Sequence, residues 1–162
     1  MAMERQRKVL LEALESIPFM KGGAVDTKSL AKVAKPVFSN DSTALCQKGE
    51  MGDRMYVLVV GKCEVIAGDE GEEKVVAEIL APGYFGEMSL IGERKPRMAT
   101  VSTVGQCDLF EISASDFDRI VNSNEAALKI ARDDAKARFA KVTQITHDAL
   151  DPLLTSPTEV IN

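Results

Sequence analysis

Histidine is almost absent from this chain: of 162 residues only His147 carries an imidazole. That excludes two-histidine catalysis and the His-rich metal sites that many β-barrels use. An enzyme would have to rely on carboxylates, and no such constellation stands out, so no catalytic and no metal-binding residue is assigned. Cysteine is scarce as well. Cys46, Cys63 and Cys107 are odd in number and contain no CxxC pair, which argues against a disulfide framework or a structural zinc site and for buried thiols in strands. A basic excess is also missing. With 20 Lys and Arg against 25 Asp and Glu, the net charge is −5, so a generally basic nucleic-acid binder is excluded. The longest strongly apolar run is Met55 to Val60, far short of the roughly 18 residues that span a bilayer. Residues 1–8 are polar and charged with no signal-type apolar stretch behind them, and an intracellular, cytoplasmic chain is expected.

What is present reads as one globular domain, with 45% hydrophobic and 28% charged residues. Val9, Leu10, Ala13, Leu14 and Ile17 recur at helical spacing, which predicts an amphipathic helix over Met3–Ser16 that stops at Pro18. A second helix is expected from a cap at Asp26 or Thr27 to Pro36. From Val37 to Ile112 the pattern changes to short β-like runs: Met55–Val60, Cys63–Ala67, Val75–Leu80, Ala99–Val104 and Cys107–Ile112. Such spacing suggests a sandwich or barrel. Gly61-Lys62 reads as a tight hairpin and the acidic stretch Gly68–Glu73 as a solvated hairpin tip. The helical period returns in Ser115–Val121, breaks at Asn122–Asn124, and resumes to about Asp148 with Leu128, Ala131, Ala135, Phe139, Val142 and Ile145 on one stripe. The expected layout is helical over 1–36, β over 37–113 and helical again over 115–148, with 149–162 a frayed tail.

The most informative stretch is Phe85-Gly86-Glu87-Met88-Ser89-Leu90, a short loop, then Arg97-Met98-Ala99-Thr100-Val101. It resembles the phosphate-binding cassette of cyclic-nucleotide-binding domains. Upstream, Lys48-Gly49-Glu50-Met51-Gly52-Asp53-Arg54-Met55-Tyr56-Val57 followed by Gly61 resembles the glycine-rich turn and strand that precede the cassette. Downstream, Asp108–Ile112 and Ser115-Asp116-Phe117 resemble the last strand and the helix after it. The resemblance covers roughly Ile17 to Lys141. It implies an α+β fold: an eight-stranded antiparallel β-roll or jelly-roll barrel with N-terminal helices, a short phosphate-binding helix and C-terminal B and C helices, the last acting as a lid.

The residue types suit that ligand on their own. A cyclic nucleotide offers one delocalised negative charge, a ribose 2′-hydroxyl and a purine. Gly86 allows close backbone approach, and a helical turn over Gly86–Leu90 would aim N–H groups at an anion. Arg97 can add a fork of donors to the exocyclic oxygens. Glu87 beside a phosphate makes sense only if its carboxylate faces the sugar, and the resemblance gives it the 2′-hydroxyl. The candidate ligand-binding residues are therefore Gly86, Glu87, Met88, Ser89, Arg97, Met98 and Ala99; Arg94 and Lys95 are left as solvated charges. Two departures from the family pattern stand out. The loop between Glu87 and Arg97 is one residue longer than in kinase members, and Met98 stands where a Thr or Ser commonly helps to hold guanine. A thioether donates no hydrogen bond, which tilts the reading toward cyclic AMP over cyclic GMP.

The resemblance further implies a lid residue that covers the purine. Phe139, Val142 and Ile145 are available on the C-terminal stripe, with Leu128 and Ala131 nearer the hinge as the alternative. The implied role is a non-catalytic sensor acting on a kinase or channel effector, with no cofactor beyond the cyclic nucleotide itself. Three other classes stand against this one. A DNA-binding regulator on the same barrel would need a helix-turn-helix beyond the long helix, where only Ala149–Asn162 stand. A cupin-type enzyme would need clustered His and Glu ligands. A degenerate barrel acting as a scaffold without nucleotide is the remaining alternative, and the intact Gly86, Glu87 and Arg97 argue against it.

Overall fold

The computed structural model describes residues 2–23 and 25–150. Helix α1 (Ala2–Ser16) leads through a 3-10 turn (Pro18–Gly23) to α2 (Thr27–Val33). The Asp26 carboxylate caps α2, accepting from the Ser29 N–H at 3.0 Å. The helix stops before Pro36, because the residue preceding a proline is pushed toward extended backbone. Pro36 itself lies in strand β1 (Lys35–Ser39), at an edge of the sheet, where its missing N–H is tolerated.

The remaining strands are β2 (Ala44–Cys46), β3 (Arg54–Ala67), β4 (Lys74–Leu80), β5 (Gly83–Phe85) and β6 (Thr100–Ser113). They form one antiparallel sheet in the order β1-β6-β3-β4, with β2 also on β6 and β5 also on β3. The fold is thus antiparallel β plus helices, but six strands stand where eight are expected. Two pairs of anticipated strands are each one long strand. Gly61-Lys62 is not a hairpin: Gly61 takes φ +101° and β3 runs on through it. Opposite it, β6 runs through Gly105 at φ +67°. From Val60↔Asp108 to Lys62↔Val104 the pairing advances two residues on β3 and four on β6. That bulge curls the ribbon without breaking it. A Cβ on Gly61 would lie 2.6 Å from the Gln106 carbonyl oxygen, so the strand can pass there only as glycine.

The Met55–Val60 run is apolar without alternation because both faces of β3 are covered. Met55, Val57 and Val59 face a core shared with Leu10, Leu14, Phe19, Leu30, Phe110 and Phe117. Tyr56 and Leu58 face the interior of the roll, with Cys63, Val65, Phe85, Val101 and Leu109. All three cysteines are buried and unpaired. Burial pushes the Cys46 thiol up to about 11 and Cys63 to about 12, which leaves them unreactive.

After β6, Ser113 caps the short α3 (Ala114–Phe117) by accepting from the Asp116 N–H at 3.2 Å. A π turn (Asp118–Asn122) and then α4 (Glu125–Leu150) follow. The long helix extends two residues past Asp148. The side chains of Phe139, Val142 and Ile145, and residues 151–162 of the expected tail, lie outside the described residues. Among the described residues no helix is long and apolar enough to cross a membrane.

Candidate functional site: a pocket between the roll and the last helix

β5 ends at Phe85 and the chain turns sharply at Gly86, which sits at φ +89°. A side chain there would meet an Arg97 Nη at 3.0 Å and the Arg54 carbonyl oxygen at 3.1 Å, so the position is both conformationally and sterically reserved for glycine. The turn starts the 3-10 segment Glu87–Ser89, in which the Leu90 N–H donates to the Glu87 carbonyl at 2.9 Å. The N–H groups at the start of such a turn have no partner within it and point outward.

Arg97 is held from several sides. Its N–H donates to the Glu50 carbonyl at 2.7 Å and its carbonyl accepts from the Gly49 N–H at 2.9 Å. Its guanidinium donates to the Gly86 carbonyl at 2.7 Å and to the Arg54 carbonyl at 2.6 Å. Only 7% of the residue is exposed. Gly52 closes the same corner: a Cβ there would fall 2.2 Å from the Ser89 Cβ. The glycine-rich upstream turn is therefore the wall against which the cassette packs.

All seven candidate residues, Gly86, Glu87, Met88, Ser89, Arg97, Met98 and Ala99, line one pocket. It encloses about 590 Å³ of empty space, solvent at its mouth included. Cys46, Val65, Ile79, Phe85 and Val101 supply an apolar wall. Met98 is 39% exposed and so available to a ligand face. Arg94 and Lys95, expected as solvated charges, are both exposed and also have partners. Arg94 pairs with Asp118 at 3.5 Å, and the Lys95 ammonium donates to the Ile91 and Glu93 carbonyls.

One further residue reaches the pocket from α4. The Arg138 guanidinium is paired with Glu87 Oε2, donates to the Tyr84 carbonyl at 3.1 Å, and lies 4.3 Å above the Tyr84 ring. The Tyr84 hydroxyl in turn donates to Asp134 at 2.9 Å. Arg138 stands on the apolar stripe itself, seven residues after Ala131 and three after Ala135, but it is polar, so a search for a hydrophobic lid passes over it. Its signal in the sequence is a basic residue among apolar ones on that stripe, on a helix that also carries Lys129, Arg132, Lys136 and Lys141.

Glu87 is 1% exposed. Burial pushes its carboxyl above the ordinary glutamate range, and the Arg138 charge works against that shift. Oε2 is taken by Arg138, whereas the buried Oε1 has no hydrogen-bond partner. An unmet buried carboxylate oxygen destabilises a fold unless a donor completes it.

Fold and pocket together place the chain in a known class. The sequence model of the cyclic nucleotide-binding domain matches residues 38–124, and the chain belongs to that family. It is 32% identical over 130 residues to a cAMP-dependent protein kinase regulatory subunit of Dictyostelium discoideum, covering 77% of this chain and 39% of that protein. It is 31% identical over 120 residues to a cyclic nucleotide-gated potassium channel of Rhizobium etli, covering 74% of this chain and 32% of the channel. The chain thus spans well under half of either relative. In fold it is similar to the regulatory domain of Toxoplasma gondii PKA co-crystallised with cAMP, with a TM-score of 0.70, 24% identity, and coverage of 88% of this chain and 58% of that one. A regulatory subunit of a cAMP-independent protein kinase A from Trypanosoma cruzi, bound to guanosine, has a TM-score of 0.65 at 22% identity, with 85% of this chain and 49% of that one covered.

Proposed function

We propose that this chain is a non-catalytic, intracellular regulatory domain that binds a cyclic nucleotide, cyclic AMP over cyclic GMP, and passes binding through α4 to a kinase or channel effector. The observation that carries this reading is the pairing, in one pocket, of the buried, fixed Arg97 fork with a Glu87 oxygen that has no partner. The anion takes Arg97 and the outward N–H groups of the turn at Gly86–Ser89. The ribose 2′-hydroxyl donates to Glu87 Oε1. Because Arg138 uses the other oxygen, the ligand can bind without breaking the contact to α4, and Glu87 touches ligand and helix at once. The purine lies against Val65, Ile79 and the exposed Met98, none of which offers guanine a hydroxyl donor.

The scaffold alternative keeps one observation in its favour: both pocket charges already have internal partners, Arg97 in two carbonyls and Glu87 in Arg138. Isothermal titration calorimetry separates the two, with cyclic AMP, cyclic GMP and guanosine as titrants; guanosine is included because a relative of the same fold binds it. One-to-one binding, tightest for cyclic AMP and lost in Arg97→Ala, is the expected result. Tighter cyclic GMP would discard the Met98 argument. Heat from none of the three would leave the scaffold.

A further inference from the structure

A second connection between the cassette and the last helix lies outside the pocket, at Asn122. This residue ends the π turn Asp118–Asn122, immediately before the break that starts α4. Its side-chain oxygen accepts the Gly92 N–H at 2.9 Å. Its side-chain nitrogen donates to the Leu90 carbonyl at 2.9 Å and to Asp118 Oδ1 at 2.7 Å. One planar amide therefore grips the main chain on both sides of Ile91, in the loop that runs from the 3-10 turn to Arg97. Only one orientation of the amide satisfies all three bonds, since the flipped one would set N–H against N–H and oxygen against two oxygens.

The surrounding contact is apolar. Leu90 and Ile91 pack in the same core as Phe117, Ile120, Val121, Ala127 and Ala131. Apolar packing alone tolerates sliding, whereas a pair of main-chain hydrogen bonds fixes register. α4 also approaches the loop at Gly92, which turns at φ +70° with the Arg132 guanidinium 3.2 Å from where a Cβ would lie. The π turn supplies the reach: the extra residue in the turn brings Asn122 against the loop, and such turns recur at functional sites.

We infer that Asn122 is a positioning residue that locks the loop 90–93 and the start of α4 into one unit, so that a change in the cassette moves the helix through this amide as well as through Arg138. Its second arm rests on the nucleotide-binding reading above; its first does not. The test is residue-resolved hydrogen exchange on the whole chain, for wild type, Asn122→Ala, Asn122→Asp and Ser39→Ala. Asn122→Asp keeps the shape and one acceptor but loses both donated bonds. Ser39→Ala removes a buried hydroxyl bonded to Asp41, Thr43 and Thr103, far from the cassette in sequence and in pairing, and controls for general loss of stability.

Without nucleotide, wild type and Ser39→Ala are expected to expose the amides of 90–93 and 125–131 in a single opening event. Both Asn122 variants should let the loop open separately, with Gly92 exchanging about tenfold faster while 125–131 changes little. With saturating cyclic AMP, both should bind within about threefold of wild type, yet lose most of the ligand-induced protection of 125–138. An Asn122→Asp protein that keeps the single opening overturns the inference, whatever Asn122→Ala does. A wild type that binds no cyclic nucleotide overturns the functional reading instead, and the first arm still decides the role of Asn122.

Discussion

The two ends of the pocket are built differently. At the end proposed to take the anion, Arg97 is fixed by main-chain and guanidinium bonds that all close within the β-roll and its loops, to Gly49, Glu50, Gly86 and Arg54. Nothing there waits for α4. At the end proposed to take the sugar, Glu87 depends on α4 for its side-chain partner and keeps an oxygen with none. The contrast separates the two jobs that the proposed function gives to one site. A preorganised cation gives affinity whatever the helix is doing. On the proposed reading, a half-satisfied carboxylate shared between ligand and helix would make the helix sensitive to the ligand, because only differential contacts can bias a two-state element.

Mutations at the two ends should therefore fail in different ways. Arg97→Ala is expected to weaken cyclic AMP binding by about 2–5 kcal/mol, as for truncation of one partner in a buried hydrogen-bonded charge pair. It also strips the Gly86 and Arg54 carbonyls of their donors, so calorimetry should be paired with a melting curve. Arg138→Ala should lower stability by about 1–3 kcal/mol by leaving Glu87 without its cation, and should free α4 while costing less affinity than Arg97→Ala. Equal losses of affinity in the two variants would erase the distinction between the ends. Gly52→Ala probes the wall behind both. Its new Cβ meets the Ser89 Cβ at 2.2 Å, and overpacking of that kind costs about 1–3 kcal/mol, read as a lowered urea midpoint at unchanged slope. Adding Ser89→Gly removes the clashing atom, so the double variant should be less destabilised than the sum of the singles.

The anion end is also the end the sequence announces. Gly86, Glu87 and Arg97 sit in one short motif, and local main-chain geometry does most of the work of assembling them. Both helical ends of the chain and the stretch of β-structure were legible from periodicity. The strand count was not. Gly61 and Gly105 look like turn residues in one dimension, and only their pairing across β3 and β6 reveals that the chain bulges there and continues. Arg138 was invisible for a related reason. It lies 51 residues beyond Glu87, a polar residue set into the apolar stripe of α4, so its partner follows from how α4 crosses the roll and from no spacing rule. In one dimension Asn122 reads as part of the break at Asn122–Asn124, because asparagine breaks helices more often than it bridges them.

The finest test of the comparison is electrostatic. Burial holds the Glu87 carboxyl above its ordinary value of 4.5. In the window between that value and the raised folded one, the native state binds a proton that the unfolded chain does not. Stability linked to this group therefore rises as pH falls through the folded value, is complete below 4.5, and is lost again as pH rises. The Arg138 contact runs the other way, since a neutral Glu87 no longer holds a guanidinium by charge. Acidification should thus firm the fold around Glu87 while loosening α4 over it. Glu87→Gln removes the titration, so the difference in melting temperature between wild type and variant, followed from neutral pH downward, should change in favour of wild type and then level off. Fluorescence from a probe on the exposed Ile130 position of α4 should report the loosening in wild type alone. A melting difference independent of pH would mean that Arg138 offsets the burial fully, and that the sugar end is as settled as the anion end.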